Sequence, residues 1–165
     1  MPEEAAAASW LSLLEESGFA TAFRASLWAY PAVETLHILG FVILVGAAAM
    51  FDLRLLGVSR SLSVSALARH LLRWSRAGAL LVVPTGLLLF TAEATTLAVS
   101  SVFRMKLVLV ALAGLNAAIF HRFTFRSASS WDRNRSTPPA ARVAACISLL
   151  LWTGVITCGR LIAYL

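Results

Sequence analysis

Four apolar runs in this chain are each long enough to cross a lipid bilayer, which takes about 20 residues of helix. They cover Pro31 to Met50, Leu71 to Phe90, about Val102 to His121, and Ala140 to Leu165. Because the backbone must satisfy its own hydrogen bonds in lipid, apolar runs of this length form helices. The pattern predicts an all-α fold, an integral membrane four-helix bundle.

The composition supports a membrane protein and excludes most soluble classes. Hydrophobic residues make up 59% of the chain and charged residues 13%, against about half and about a quarter in soluble domains. The basic residues lie in the connections between apolar runs, which favours contact with lipid headgroups over nucleic acid as a partner. No Gly-rich phosphate loop or Cys-x-x-Cys pair occurs, and no catalytic residue is assigned.

The first 30 residues differ in character from the rest. Apolar residues and acidic residues fall on opposite helical faces there: Trp10, Leu13 and Leu14 against Glu3, Glu15 and Glu16. After a break at Ser17 and Gly18, apolar side chains recur every four residues. We therefore expect residues 1–30 to form an amphipathic interfacial segment, without a cleaved signal, and residues 31–165 to form the bundle.

The charges between the spans predict the orientation. The connections after the first and third spans carry most of the arginines: Arg54, Arg60, Arg69, Arg73, Arg76, Arg122, Arg126, Arg133, Arg135 and Arg142. The other side holds most of the acids, including Glu4 and Glu93. By the positive-inside rule the basic side is cytoplasmic and both termini lie outside.

Polar residues from three spans are expected to converge near the outer end. Glu34 and His37 lie one turn apart on the first span, Lys106 begins the third, and Arg160 belongs to a polar stripe on the fourth that includes Tyr164. A carboxylate can orient an imidazole, and cations can bind acidic groups by charge-assisted hydrogen bonds. The alternative is a self-neutralising Glu34–His37 pair, with Lys106 and Arg160 reaching the interface.

A second pair, His70 and His121, is expected at similar depth near the inner end. Two imidazoles from different helices are what a bis-histidine haem b needs; the alternative is two interfacial histidines. His121 lies fifteen residues, or about 22 Å, beyond Lys106 along the third helix. His37 and His121 therefore cannot share one metal, and a haem at His37 would need Met105 or an open position. Asn116 is predicted to hydrogen-bond between helices.

Several motifs carry a resemblance to known families. The stretches ETLHILGFVILVGAAAMFDLRLLG and RMKLVLVALAGLNAAIFHR resemble small bacterial membrane proteins of the HemJ-type protoporphyrinogen oxidase and CopD groups. The segments Pro31 to His37, Asp52 to Gly57 and Gly159 to Tyr164 are similar to an uncharacterised family of bacterial four-span proteins. The histidine that HemJ proteins carry after the first span is replaced here by Gly57 and Val58.

These features lead to one leading functional hypothesis and two others. The first is a haem b–binding protein of the bacterial inner membrane, acting in electron transfer or beside a redox partner or a second copy. In it, His37, His70 and His121 are the candidate iron ligands, and Glu34, Lys106 and Arg160 complete the cofactor site. The second is an oxidoreductase for a porphyrin-like or quinone-like substrate, with His37 and Lys106 at the reacting centre. The third is an accessory protein, for instance for copper.

Overall fold

The computed structural model describes residues 10–164. Within that range the chain is helical and contains no strand, as predicted. The helices are α1 (Gly18–Ala25), α2 (Ala29–Leu56), α3 (Val64–Ala92), α4 (Ala94–Val99), α5 (Ser101–Ile119) and α6 (Pro139–Ile162). Residues 10–15 form a further helical segment before α1. Glu3, Glu4 and Leu165 lie outside the described residues.

Four helices are long and apolar enough to span a membrane: Ala29–Leu56, Val64–Ala92, Ser101–Trp131 and Pro139–Ile162. This confirms a multi-pass membrane protein with apolar helices facing lipid. The third span continues past α5 through a π-helical turn, Phe120–Thr124, and a 3₁₀ helix, Phe125–Trp131. The chain stays helical past Ser127, where Ala128 and Trp131 are buried against the bundle.

Local sequence explains where the helices begin and end. Ser63 and Ser100 cap α3 and α5 by accepting hydrogen bonds from the amides of Ala66 and Phe103. Pro139 occupies the first turn of α6, where a missing amide hydrogen costs nothing. Gly57 ends α2 with a φ of 107°, a conformation that glycine adopts without strain.

The bundle has two ends that differ in charge. The basic end comprises the turn 57–63 and residues 120–138, which together carry five arginines. The opposite, acidic end comprises residues 10–28, the start of α2 and α4. At the basic end a core of apolar side chains joins all four spans, and it includes Phe51, Leu55, Ala68, Phe120, Trp131 and Ala145. This core holds the four spans together at the basic end.

The helices are not packed in a closed ring. In the described residues α2 packs on both α3 and α6, and α6 packs on α5, whereas α3 and α5 share no extended contact. The rings of Phe90 and Phe103 stack at 5.7 Å and bring α3 and α5 together at the acidic end. At the basic end the 3₁₀ helix packs on α3. Between these two contacts the bundle has an opening on its side.

Candidate ligand-binding cleft

The opening between α3 and α5 leads into a cavity of about 340 Å³, which we call the lateral cleft. Its walls come from all four spans and are mostly apolar, with aromatic rings from Phe41, Phe51, Phe120 and Trp152. Val83 of α3 and Val110 of α5 line the cleft and are also exposed, so they mark its rim. Its size falls within the range of small-molecule sites, about 300–1,000 Å³, and its mouth faces lipid.

The most unusual residue of the cleft is Asp52 on α2. Its side chain is only 6% exposed, and its Oδ2 atom has no hydrogen-bond partner among the described residues. The hydroxyl of Ser148 on α6 is a polar neighbour. A buried polar atom without a partner costs free energy, and ionisable groups at membrane depth usually serve substrates or protons. Asp52 is therefore the strongest candidate for contact with a ligand.

His121 lines the same cleft from the third span. It lies in the π-helical turn Phe120–Thr124, and its ring packs edge-on against Phe120 and Phe125 at 5.2 and 5.3 Å. Turns of this kind are frequent at functional sites, because the extra residue redirects a side chain. The cleft thus combines a carboxylate and an imidazole with aromatic walls.

Three further polar residues complete the lining: Ser75, Asn116 and Ser148. Asn116 donates a hydrogen bond to the Ala144 carbonyl of α6 at 3.0 Å, which confirms the expected hydrogen bond between helices. The small side chains of Ala113, Gly114 and Ala117 make room in the α5 wall. The polar groups are few and lie on an apolar background, as in most ligand pockets.

His70 does not line the cleft. Its side chain is exposed on α3, whereas Leu71 and Leu72 after it line the cleft. Among residues 10–164 no three His, Cys, Asp or Glu side chains come together as a metal-binding group. Of the two histidines predicted at this end, His121 lines the cleft and His70 is not among its lining residues.

At the acidic end, His37 points from α2 to α3. Its Nδ1 atom lies 3.1 Å from the Val82 carbonyl and 3.0 Å from the Thr85 hydroxyl. A carbonyl only accepts, so Nδ1 carries the proton and the lone pair is on Nε2. Gly86 allows this approach, because a Cβ there would lie 3.0 Å from the imidazole. Pro84 loosens the same turn of α3.

Of the other residues predicted at this end, only some lie near His37. Lys106 is half-buried between the helices, beside Cys158 and Gly159 of α6, and its charge acts on His37. Glu34 is exposed, and the hydrogen bonds of His37 go to α3. Arg160 is exposed and bonds to Tyr164 of its own helix, with the guanidinium 4.6 Å from the ring centre.

The polar stripe on α6 does not join His37 and Lys106 either. Thr153 and Thr157 are exposed and donate hydrogen bonds to the carbonyls of Leu149 and Thr153 in their own helix. Hydroxyls bonded in this way satisfy themselves within the span. The hydrogen bonds of both threonines therefore stay within α6.

Asp52 could have been found from the sequence, because a carboxylate four residues before the end of a spanning helix is costly. It was overlooked because Arg54 follows it and suggested a connecting segment. No family model, curated protein or solved structure matches this chain. The resemblance to HemJ-type and CopD proteins therefore stays a hypothesis that rests on short motifs.

Proposed function

We propose that this protein binds a lipophilic, quinone-like ring compound that enters the lateral cleft from the bilayer and exchanges protons with Asp52 and His121. The observation that carries the proposal is the unpartnered, buried Oδ2 atom of Asp52 in an aromatic-lined cavity open toward lipid. A hydroxyl on the ring would donate to this carboxylate, and the aromatic walls would stack on the ring.

The size and lining of the cleft favour this ligand class. A volume near 340 Å³ suits one or two rings better than a four-ring macrocycle. Oxidation of a quinol to a quinone releases two protons and two electrons. Asp52 and His121 can each take one proton, and the electrons would pass to a redox partner in the membrane. This matches the sequence-based hypothesis of a membrane oxidoreductase or redox subunit, with a different set of residues.

The binding test uses purified protein in nanodiscs and short-chain ubiquinol, kept reduced, as the probe, because only the quinol has a hydroxyl that can donate to Asp52. Trp152 lines the cleft, so quenching of tryptophan fluorescence reports binding. Asp52→Asn and His121→Ala should each weaken binding by about tenfold or more, since a hydrogen bond to a charged group is worth about 1.5–3 kcal/mol. His70→Ala is the matched control, because His70 is exposed on the neighbouring helix. Unchanged affinity in Asp52→Asn would refute the proposal.

Haem b is a second candidate, favoured by the presence of His121 beside the small residues of α5. These residues fit one axial ligand, and bound haem would supply one-electron chemistry there. A Soret band in the purified protein that disappears in His121→Ala would place haem in the cleft. Loss in His37→Ala instead would place it at the acidic end, where Nε2 of His37 is free to bind iron. A colourless protein without extractable haem would remove this candidate.

A further inference from the structure

The position of Lys106 indicates a second site, separate from the lateral cleft. Its ammonium Nζ lies 3.7 Å from the point where a Cβ on Gly159 would stand, so the ammonium packs close to α6. A long lysine side chain near a helix end normally extends toward water. Here it is half-buried beside Cys158. The rings of Phe41 and Trp152, 5.9 Å apart, line the cleft at the end nearer to this lysine.

The charge of Lys106 is not balanced by an acid of the described chain. The one ion pair in residues 10–164 joins Arg24 and Glu15, and the nearest acid along α2, Glu34, is exposed. The titratable neighbour that acts on Lys106 is Cys158, and Lys106 in turn acts on His37. A half-buried cation without a counter-ion is costly. An anion that binds here would lower that cost.

We infer that Lys106 binds a phosphate or carboxylate group at the acidic end of the bundle. The Lys106 ammonium supplies three hydrogen-bond donors for such a group. The oxyanion can belong to the headgroup of an acidic lipid or to a free anion in solution. This inference does not depend on the ligand proposed for the lateral cleft.

The experiment compares delipidated wild-type protein with Lys106→Met and with Arg104→Met, a matched control. Arg104 is exposed on the same helix, two residues before Lys106, so its loss removes a charge without touching the site. Phosphatidylglycerol and inorganic phosphate are added separately. Retained lipid is counted by native mass spectrometry, and the midpoint of thermal unfolding is measured. We expect wild type and Arg104→Met to gain several degrees and Lys106→Met to gain none.

The responses to the two anions show whether the bound oxyanion comes from a lipid or from solution. A response to phosphatidylglycerol alone assigns the site to a lipid headgroup, and a response to inorganic phosphate as well assigns it to a soluble anion. Gly159→Val provides a second variant in case Lys106→Met does not fold, because it keeps the charge but crowds the ammonium, and it should also lose the response. Equal binding by wild type and both site variants, an equal loss in Arg104→Met, or no response of the wild type would overturn the inference.

Discussion

Arg54 of α2 donates a hydrogen bond from Nη2 to the carbonyl oxygen of Asp132, at 3.0 Å, across the basic end of the bundle. The same guanidinium donates to the carbonyls of Leu62 and Arg60 at 2.8 and 3.1 Å. The sequence placed Arg54 among the arginines of a connection, but its side chain is only 2% exposed. Arg54 thus ties the turn after α2 to the turn before α6.

Replacing Arg54 should destabilise the whole basic end. Arg54→Leu removes three hydrogen bonds from a charged group, although the carbonyls of Arg60 and Asp132 keep the amides of Asn134 and Val64 as donors. We therefore expect a loss of about 3 kcal/mol in the free energy of unfolding. Thermal unfolding in detergent measures it. Arg69→Leu is the control, since Arg69 is exposed on α3. Equal midpoints for the two variants would contradict a structural role for Arg54.

Asp132 gives this region a dependence on pH. Its carboxylate accepts hydrogen bonds from the Ser65 amide at 2.8 Å and the Ser63 hydroxyl at 2.7 Å, and these hold the pKa of Asp132 below its ordinary value of 3.8. A lowered folded-state pKa means that its stabilisation is complete above about pH 4–5 and is lost as the pH falls through the folded-state value. Asp132→Asn should lower stability at pH 7 by about 2 kcal/mol and flatten the acid limb of the unfolding profile. If the unfolding profile of Asp132→Asn against pH runs parallel to that of wild type, Asp132 is not the source of the pH dependence.

Glu15 attaches the N-terminal segment to the bundle. Its carboxylate accepts hydrogen bonds from the amide and hydroxyl of Thr95, at 2.8 and 2.6 Å, which hold the pKa of Glu15 below its ordinary value of 4.5. Glu15→Gln should speed amide hydrogen exchange in residues 18–25 and 94–99 several-fold at pH 7. In wild type the same loosening should begin below about pH 4.5. Glu16 is an exposed neighbour, so Glu16→Gln should show the same amide exchange as wild type. If its exchange matches that of Glu15→Gln, the N-terminal segment is attached to the bundle elsewhere.

Close approach of α2 and α3 depends on Gly78. A Cβ at this position would lie 2.7 Å from both the Gly40 carbonyl oxygen and the Leu44 amide nitrogen. Gly78→Ala should therefore push the helices apart and cost about 2 kcal/mol. Gly46→Ala on α2 is the control, because a Cβ there meets nothing within 4 Å, and alanine favours the helix by about 0.5–1 kcal/mol. Unfolding in detergent should separate the two variants in opposite directions, and equal effects would contradict the packing.

Asp52 should behave differently from Arg54 when it is replaced. Because Oδ2 has no partner among the described residues, Asp52→Asn removes a buried carboxyl without breaking an ion pair. We expect the variant to be as stable as wild type or more stable, even though ligand binding is lost. Far-UV circular dichroism and thermal unfolding check this. A large loss of stability would assign Asp52 to the scaffold and weaken the proposed site.

The histidines show how far sequence reasoning reached for the site. His121 lines the cleft near the basic end, and His37 with Lys106 lies near the opposite end, so the separation derived from helix length agrees with the fold. The His70 side chain is exposed on α3, and its pairing with His121 stays a prediction. The sequence left the face of His70 open because the residues around it, Arg69, Arg73 and Trp74, include charged and aromatic side chains that suit either an interface or a cavity.

The sequence by itself determined the four spans and the polar breaks between them. The cost of transferring a helix into lipid depends on its own side chains and needs no neighbour. Only the tertiary structure decided which faces meet. The apolar residues of α2 and α5 are spread evenly around each helix, so no stripe shows which side is inward. Packing of α2 against α3 and α6 buried Asp52, and the turns at the basic end buried Arg54. The gap between α3 and α5 opened the cleft that Asp52 and His121 both line.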